Sequence, residues 1–413
     1  MGRRLADSIG VRIVAVSRLR PGMRLGRPVY SCSSGVRLPL LQPHAVVTER
    51  VRSGLERAGV FAVYIEDRLS EGIEPVEPLS AELRDRALRD LDRTFTAVST
   101  SGAATRIPGE QIERLGGVVK AILREIRSRG EMVSSLMDLQ SFDAHTLGHS
   151  LNVCVLGLMI GDDALRRHGW RDGRGEVRRG DIDDRLEKLG LGLLLHDIGK
   201  LLIPAEILQK PGRLTDDEME IVREHPQTGL DLIEVGAFSS LSKVAVIGHH
   251  ERVDGRGYPY GRTDDLHPHA QIAGIADVYD AVSSMRVYQA RRPTHEAWEL
   301  VMSLAGTAFP LELVQVFKHT VAPYPEGVAV QLSDGRRGIV ARVEREHVTR
   351  PTVRITHDAA GGAVAPHDIE LFTVHDVVIT DTLEDLVGPS TPFERLTSPA
   401  SDELHEQRLS SVV

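Results

Sequence analysis

Apolar positions along this chain change their period several times, and each change predicts a different kind of structure. Over residues 11–67 two β-rich runs, VRIVAVSRL and AVYIED, flank TERVRSGLERAG (48–59), where Val51, Leu55 and Ala58 recur at helical spacing. EGIEPVEP (71–78) interrupts the pattern and reads as a linker. One helix is predicted over roughly 80–98. Another follows in PGEQIERLGGVVKAILREIRSRG, whose Ile112, Leu115, Val119, Ile122 and Ile126 line one face. From about 131 to 320 the pattern stays helical, except in RRHGWRDGRGEVRRGDIDDR (166–185), predicted to be an exposed loop. TDDE (215–218) fits a capping box, and the helix it starts is predicted to run up to His225, just before Pro226. Beyond Pro323 strands return: VAVQLSDGRRGIVARV places two β-like runs around Asp334-Gly335, a hairpin signal, and PTVRITHD adds another. The polar end, SPASDELHEQRLSSVV, is expected to be disordered.

These shifts predict a multidomain chain with an all-α core between small β-rich ends. The expected boundaries are an N-terminal domain over 1–75, a linker and helices over 76–130, the core over 131–320, a C-terminal domain over 321–380 and a tail over 381–413. A length of 413 residues supports two or three domains. Composition changes this picture little, since 41% hydrophobic and 26% charged residues are ordinary for a globular protein. The net charge of −9 argues against a nucleic-acid polymer as partner. The longest apolar run, VCVLGLMIG, is too short to span a bilayer, and the basic start lacks the apolar stretch of a signal peptide. Cys32 and Cys154 show neither metal nor disulfide spacing. A cytoplasmic protein with no membrane association is the expectation.

The candidate chemistry begins with GLLLHDIGKLLIP (192–204), which sets His196, Asp197 and Lys200 between two apolar runs. Buried charge is costly unless paired or bound to metal. Four other pieces of the helical region could supply partners: HTLGHSLNV (145–153), REHPQTG (223–229), GHHERVDGRGYP (248–259) and IADVYDA (275–281). They add His145, His149, His225, His249, His250 and Asp277. Singly, each has an ordinary explanation, because a lone histidine is more often hydrogen-bonded than ligating and GRGYP alone is a turn. His44, His168, His295 and the six histidines from His319 onward lack such neighbours and read as ordinary. Together, an adjacent His pair, a His-Asp within an apolar run and a later Ala-Asp describe an imidazole–carboxylate donor set. Such a set suits iron, manganese or zinc. His145 and His149, four apart, share one helical face.

At this point HDIGK together with HHERVDGRGYP resembles an HD-GYP domain, a branch of the HD-type metal-dependent phosphohydrolases, over about 131–320. The resemblance implies an all-helical core, two or three divalent ions, commonly iron or manganese, and hydrolysis of cyclic di-GMP to pGpG or GMP. It implies that His149, His196, Asp197 and Asp277 ligate one ion, that His225, His249 and His250 ligate a second, and that Asp197 bridges them. His145 stands where three-metal members carry Glu, so two ions are expected and a third is left open. Lys200 is implied to meet substrate phosphate and, with Asp197, to serve catalysis, while Tyr258, Arg286 and Tyr288 line the nucleotide pocket. Val287, Gln289 and Gln271 depart from the family pattern and bear on phosphate binding. LRPGMRLGRPVY and YPEGVAVQLSDGRRGIVARV are similar to β-rich segments often attached to this family. Two other readings stand beside catalysis on cyclic di-GMP. One is a non-catalytic sensor of that nucleotide; the other is hydrolysis of another cyclic dinucleotide or phosphoester. A homodimer or a signalling-protein partner is left open.

Overall fold

The computed structural model describes residues 10–33, 36–101, 106–129, 145–172, 174–210, 212–233, 236, 238–263, 266–283 and 293–386. The N-terminal part comprises β1 (Val11–Ala15), β2 (Arg24–Leu25), β3 (Val29–Ser33), β4 (Val36–Leu41), α1 (Glu49–Arg57) and β5 (Ala62–Glu66). Thr48 caps α1 by accepting the Val51 N–H. Strands β1, β5 and β2 form an antiparallel sheet in the order β1-β5-β2, and β3 pairs with β4. Residues 71–78, predicted as a linker, are packed rather than free: Ile73 is buried, and Arg27 donates to the Pro75 carbonyl and to Glu77.

The helical part runs through α2 (Ala81–Ser101), α3 (Gly109–Ser128), α4 (His145–His168), a hairpin of β6 (Trp170–Arg171) and β7 (Val177–Arg178), and α5 (Ile182–Leu195). It continues through α6 (Ala205–Leu208), α7 (Asp216–Arg223), α8 (His225–Asp231), α9 (Ser240–Gly248), α10 (Pro268–Ser283), α11 (Thr294–Ser303) and α12 (Leu311–Thr320). Helix α3 buries Ile112, Leu115, Val119 and Ile122, the face its periodicity predicts. One apolar core joins α2 to α5 with α9 to α12. Helix α10 lies at its centre, buried at every position from His269 to Ser283. A helix buried all round must be apolar all round, so its two carboxylates need a specific reason to be there.

Two predictions about this region need correction. Residues 166–185 are not simply a loop, because α4 extends to His168, α5 starts at Ile182 and the β6–β7 hairpin lies between. The polar composition hides an anchor: the Trp170 indole N–H donates to the Gly180 carbonyl at 2.8 Å, and the Arg185 guanidinium lies 3.3 Å from its ring centroid. The capping box of Thr215 and Glu218 does start α7, but α7 stops at Arg223. His225 instead opens α8, where Pro226 sits in the first turn and its missing N–H costs nothing.

The C-terminal strands β8 (Ala329–Leu332), β9 (Arg337–Arg342), β10 (Thr352–His357), β11 (Ala363–Glu370) and β12 (Ile379–Leu383) form an antiparallel sheet in the order β11-β10-β9-β8-β12. The two β-rich ends, expected as separate domains, share one apolar cluster. Val11, Ile13, Ala62 and Tyr64 pack with Val330, Val340, Val353 and Ile355. A sheet needs a partner for its apolar face, and each end supplies the other's. The Ile13 N–H donates to Gly327 at 2.8 Å, and the Ala15 N–H donates to Glu384 at 3.1 Å. Arg12, 3% exposed, pairs with Asp67 and Asp385 at 2.7 Å each. Residues 381–386 therefore do not belong to a free polar tail: Leu383 and Leu386 are buried beside Ile73. Residues 387–413, the rest of that predicted tail, lie outside the described residues. No helix of the described residues is long and apolar enough to cross a membrane.

Asp385→Ala would leave the buried Arg12 guanidinium with half its compensation. Loss of one partner from a buried ion pair is expected to lower stability by about 3 kcal/mol, read as a lower midpoint in urea unfolding. A loss below about 1 kcal/mol would show that the two ends are not energetically joined through this pair.

Candidate metal centre

Seven ionisable side chains converge where α4, α8 and α10 meet the C-terminal ends of α5 and α9. His149 lies one turn into α4, His196 caps α5, and Asp197 precedes the short 3-10 turn Ile198–Leu202. His225 opens α8, His249 caps α9 with His250 next, and Asp277 comes from α10. None is more than 9% exposed. The apolar run that predicted burial for His196 and Asp197 ends its helix at Leu195, so both sit on a turn rather than inside a helix. That turn comes close to α8 because residue 199 is glycine; a methyl group there would run into the His225 carbonyl oxygen.

Asp197 divides the cluster into two halves. Its Oδ2 lies 3.5 Å from Nε2 of both His149 and His196, and Asp277 Oδ1 completes that side at 3.1 Å from His149 and 3.9 Å from His196. Its Oδ1 lies 3.2 Å from His225 Nε2 and 3.7 Å from His249 Nε2. His250 joins the second half: its candidate ligand atom and those of Asp197, His225 and His249 lie within 4.8 Å of one another.

The ring tautomers follow from the backbone. His196 Nδ1 donates to Leu193 O at 2.8 Å, while His225 and His249 donate to Val222 O and Val246 O at 2.7 Å each. These carbonyls belong to the last turns of α5, α7 and α9, where intrahelical partners run out. A carbonyl only accepts, so Nδ1 holds the proton and Nε2 of each neutral ring presents a lone pair to the centre. Two such lone pairs, on His225 and His249, face each other at 3.2 Å. Burial pushes His196 down to about 3 and lowers His225 and His250. His149 goes the other way. Burial would lower it, but the hydrogen bonds it donates to Asp197, Asp277 and Asp280 hold it well above its ordinary value. Burial would also raise Asp197, yet Lys200 and His196 keep it well below the usual carboxylate range.

This donor set fits divalent cations. His196 Nε2, Asp197 Oδ1 and both ring nitrogens of His250 are buried without a hydrogen-bond partner among the described residues. The Nε2 lone pairs of His196, His225 and His249 converge on the carboxylates of Asp197 and Asp277, and a cation on each side of Asp197 would satisfy both halves, replacing the proton of His149 on the first. Imidazole with carboxylate, and no thiolate, matches borderline and harder first-row ions.

Lys200 reaches back to Asp197 Oδ2 at 2.6 Å and is the most solvent-accessible part of the motif, 25% exposed at its side chain. The Tyr258 ring stacks on His250, with centroids 4.4 Å apart at 20°. Gln271 is buried, and its side-chain amide donates to the Glu251 carbonyl at 3.4 Å. His145 begins α4 one turn before His149, but its side chain lies outside the described residues, as do Arg286 and Tyr288 with Val287 and Gln289.

Sequence reasoning missed Asp280. It accepts from His149 Nδ1 at 2.7 Å and from Asn152 Nδ2 at 3.1 Å, which orients the ring and leaves Nε2 pointing inward. Its signal was available, since Asp277 and Asp280 lie three apart on a helix that is otherwise buried. Arg252 was also missed. It is buried beneath the paired histidines, donating to the His249 carbonyl at 2.9 Å.

The chain is similar to several known proteins. The family model described as HD domain matches residues 180–310. A cyclic di-GMP phosphodiesterase of Pseudomonas aeruginosa is 33% identical over 296 residues, 70% of this chain and 67% of the relative. A cyclic di-GMP phosphodiesterase response regulator of Xanthomonas campestris is 41% identical over 114 residues, 27% of this chain and 29% of the relative. A cyclic di-GMP phosphodiesterase of Thermotoga maritima is 37% identical over 154 residues, 37% of this chain and 42% of the relative. The match thus spans less than half the length of the last two.

Asp280→Ala is expected to weaken Mn²⁺ binding by roughly 10–100-fold, the usual cost of removing the carboxylate behind a ligating imidazole. Titration of the metal-free protein would measure it, and unchanged affinity would show that Asp280 does not set the His149 ring.

Proposed function

The chain belongs to the HD-GYP family of HD-type phosphohydrolases, and from that membership we propose that it is a metal-dependent phosphodiesterase that hydrolyses cyclic di-GMP to pGpG, GMP or both. The observation that carries the reading is the Asp197 carboxylate, with one oxygen facing His149 and His196 and the other facing His225 and His249. We assign one ion to His149, His196, Asp197 and Asp277, and a second to Asp197, His225, His249 and His250. Iron or manganese suits these donors. Residues 131–320 form the catalytic region in this reading, and the protein works in the cytoplasm on a soluble nucleotide.

Bound divalent ions supply the Lewis acidity that lets water attack a phosphodiester near neutral pH. The protein's own residues do the rest. Attack at phosphorus runs in line with departure of the 3′ oxygen, and charge builds on the phosphoryl oxygens. Lys200 is placed to neutralise that charge: its ammonium is held beside Asp197 at the accessible edge of the cluster. The Tyr258 ring, fixed on His250, provides a flat wall for a nucleotide. Asp280 and the helix-end carbonyls hold His149, His196, His225 and His249 with Nε2 turned inward, so these four rings need not reorganise during turnover. Arg286 and Tyr288 complete the pocket in this proposal.

The imidazole of His145 brings no negative charge and does not bridge two cations as a carboxylate does. Two ions per chain follow. Metal analysis of anaerobically purified protein should give close to two, with a partial loss of turnover in His145→Ala and near-complete loss in His149→Ala. Three tightly held ions, one of them lost in His145→Ala, would overturn this count.

The main test follows cyclic di-GMP by chromatography beside a panel of other cyclic dinucleotides, because Val287 and Gln289 depart from the family pattern. Activity confined to another member of the panel would change the substrate. Replacing both His196 and Asp197 by Ala should abolish turnover and strip metal; turnover retained at wild-type metal content contradicts the assignment. Lys200→Ala should keep its metals while turnover falls at least ~10-fold. If metals are lost as well, the role of Lys200 is to hold Asp197.

A further inference from the structure

Glu251 follows the paired histidines, and its carboxylate takes no part in the cluster. It is 3% exposed, and both of its oxygens go to one loop. Oε1 accepts the Tyr260 N–H at 2.7 Å, and Oε2 accepts the Arg262 N–H at 3.1 Å. The Glu251 carbonyl is held in turn by Arg252 Nη1 at 3.0 Å and by the Gln271 amide at 3.4 Å. The near side of the loop closes on the same segment. The Tyr258 N–H donates to the His250 carbonyl at 3.2 Å, and a methyl group at Gly257 would run into that carbonyl oxygen and the Arg252 nitrogen. Tyr258 thus makes the near attachment through its own N–H, and its ring lies flat on His250.

We propose that Glu251 is a positioning residue. By clamping the Tyr260 and Arg262 amides it fixes the Tyr258 ring against His250, and so sets the wall that the nucleotide meets. The inference rests on the reading that Tyr258 lines the substrate pocket. The loop has no helix or strand of its own to order it, so its backbone donors need side-chain acceptors. An ionised carboxylate that takes two N–H groups is a stronger clamp than a neutral acceptor.

Glu251→Gln preserves shape, but it can accept at one oxygen only and turns its amide hydrogens toward the other backbone N–H. With the metal-loaded full chain it should raise KM for cyclic di-GMP about 10-fold while kcat changes less than about threefold. Metal content should match wild type. In a Tyr258→Ala background the same substitution should add less than about twofold to KM, because its effect runs through the tyrosine. Unchanged KM, fully additive effects, or metal lost from Glu251→Gln would each overturn the proposal. Should Glu251→Gln not fold, Glu251→Asp enters the same cycle. Amide hydrogen exchange without substrate gives a separate readout: residues 255–262 should exchange faster in the variant while α9 stays protected. Equal exchange would also overturn the clamp. A wild type inactive on cyclic di-GMP would instead refute the functional reading and leave the clamp to be judged by exchange.

Discussion

One carboxylate shared by two sets of imidazoles organises the helical part of this protein. Asp197 is almost wholly buried, and its two oxygens face opposite halves of the cluster. Burying a lone carboxylate is prohibitive, so cations or protons must surround it from both sides. Meeting that demand brings in α4, α8, α10 and the ends of α5 and α9 at once. The turn that carries Asp197 can approach α8 only because Gly199 has no side chain. The apolar core around α10 then holds the donors in place, with little freedom to relax.

Helix ends do much of the positioning. Leu193, Val222 and Val246 have carbonyls in the last turns of their helices, and each accepts from the imidazole three residues later. A helix C-terminus leaves such acceptors without partners, and a histidine at the cap uses one while turning its other nitrogen outward. The same contact fixes tautomer and direction. His149 sits within a helix, where no free carbonyl is at hand, and it takes Asp280 instead. The difference explains why one of the imidazoles needs a dedicated carboxylate behind it.

The terminal strands show a second dependence on distant parts of the chain. Arg12 and Asp385 are 373 residues apart in sequence and 2.7 Å apart in space. Around them the two β-rich ends cover one another's apolar faces. The N-terminal sheet packs one face on α1, through Leu55 against Val14, Val63 and Ile65, and leaves the other to the C-terminal strands, so each end was legible as strands but not as half of a shared unit.

Spacing along the chain by itself determined most elements and most of the donor set. The 3.6-residue period of Ile112, Leu115, Val119 and Ile122 located α3 and its buried face. The TDDE capping box located the start of α7, and Asp334-Gly335 located the β8–β9 turn. The His-Asp in an apolar run announced burial that needs compensation. These signals are local, because helix, turn and capping chemistry act within a few residues. Other features were decided only in three dimensions. Helix α7 ends before His225, and the polar segment after α4 folds over Trp170. Which Asp197 oxygen faces which histidines, and the roles of Asp280 and Glu251, also emerge only there. Each depends on groups from separate elements meeting at hydrogen-bond distance, and no short-range pattern encodes such a meeting. Tertiary packing set these contacts because the cost of an unpartnered buried polar group is settled where the chain closes on itself.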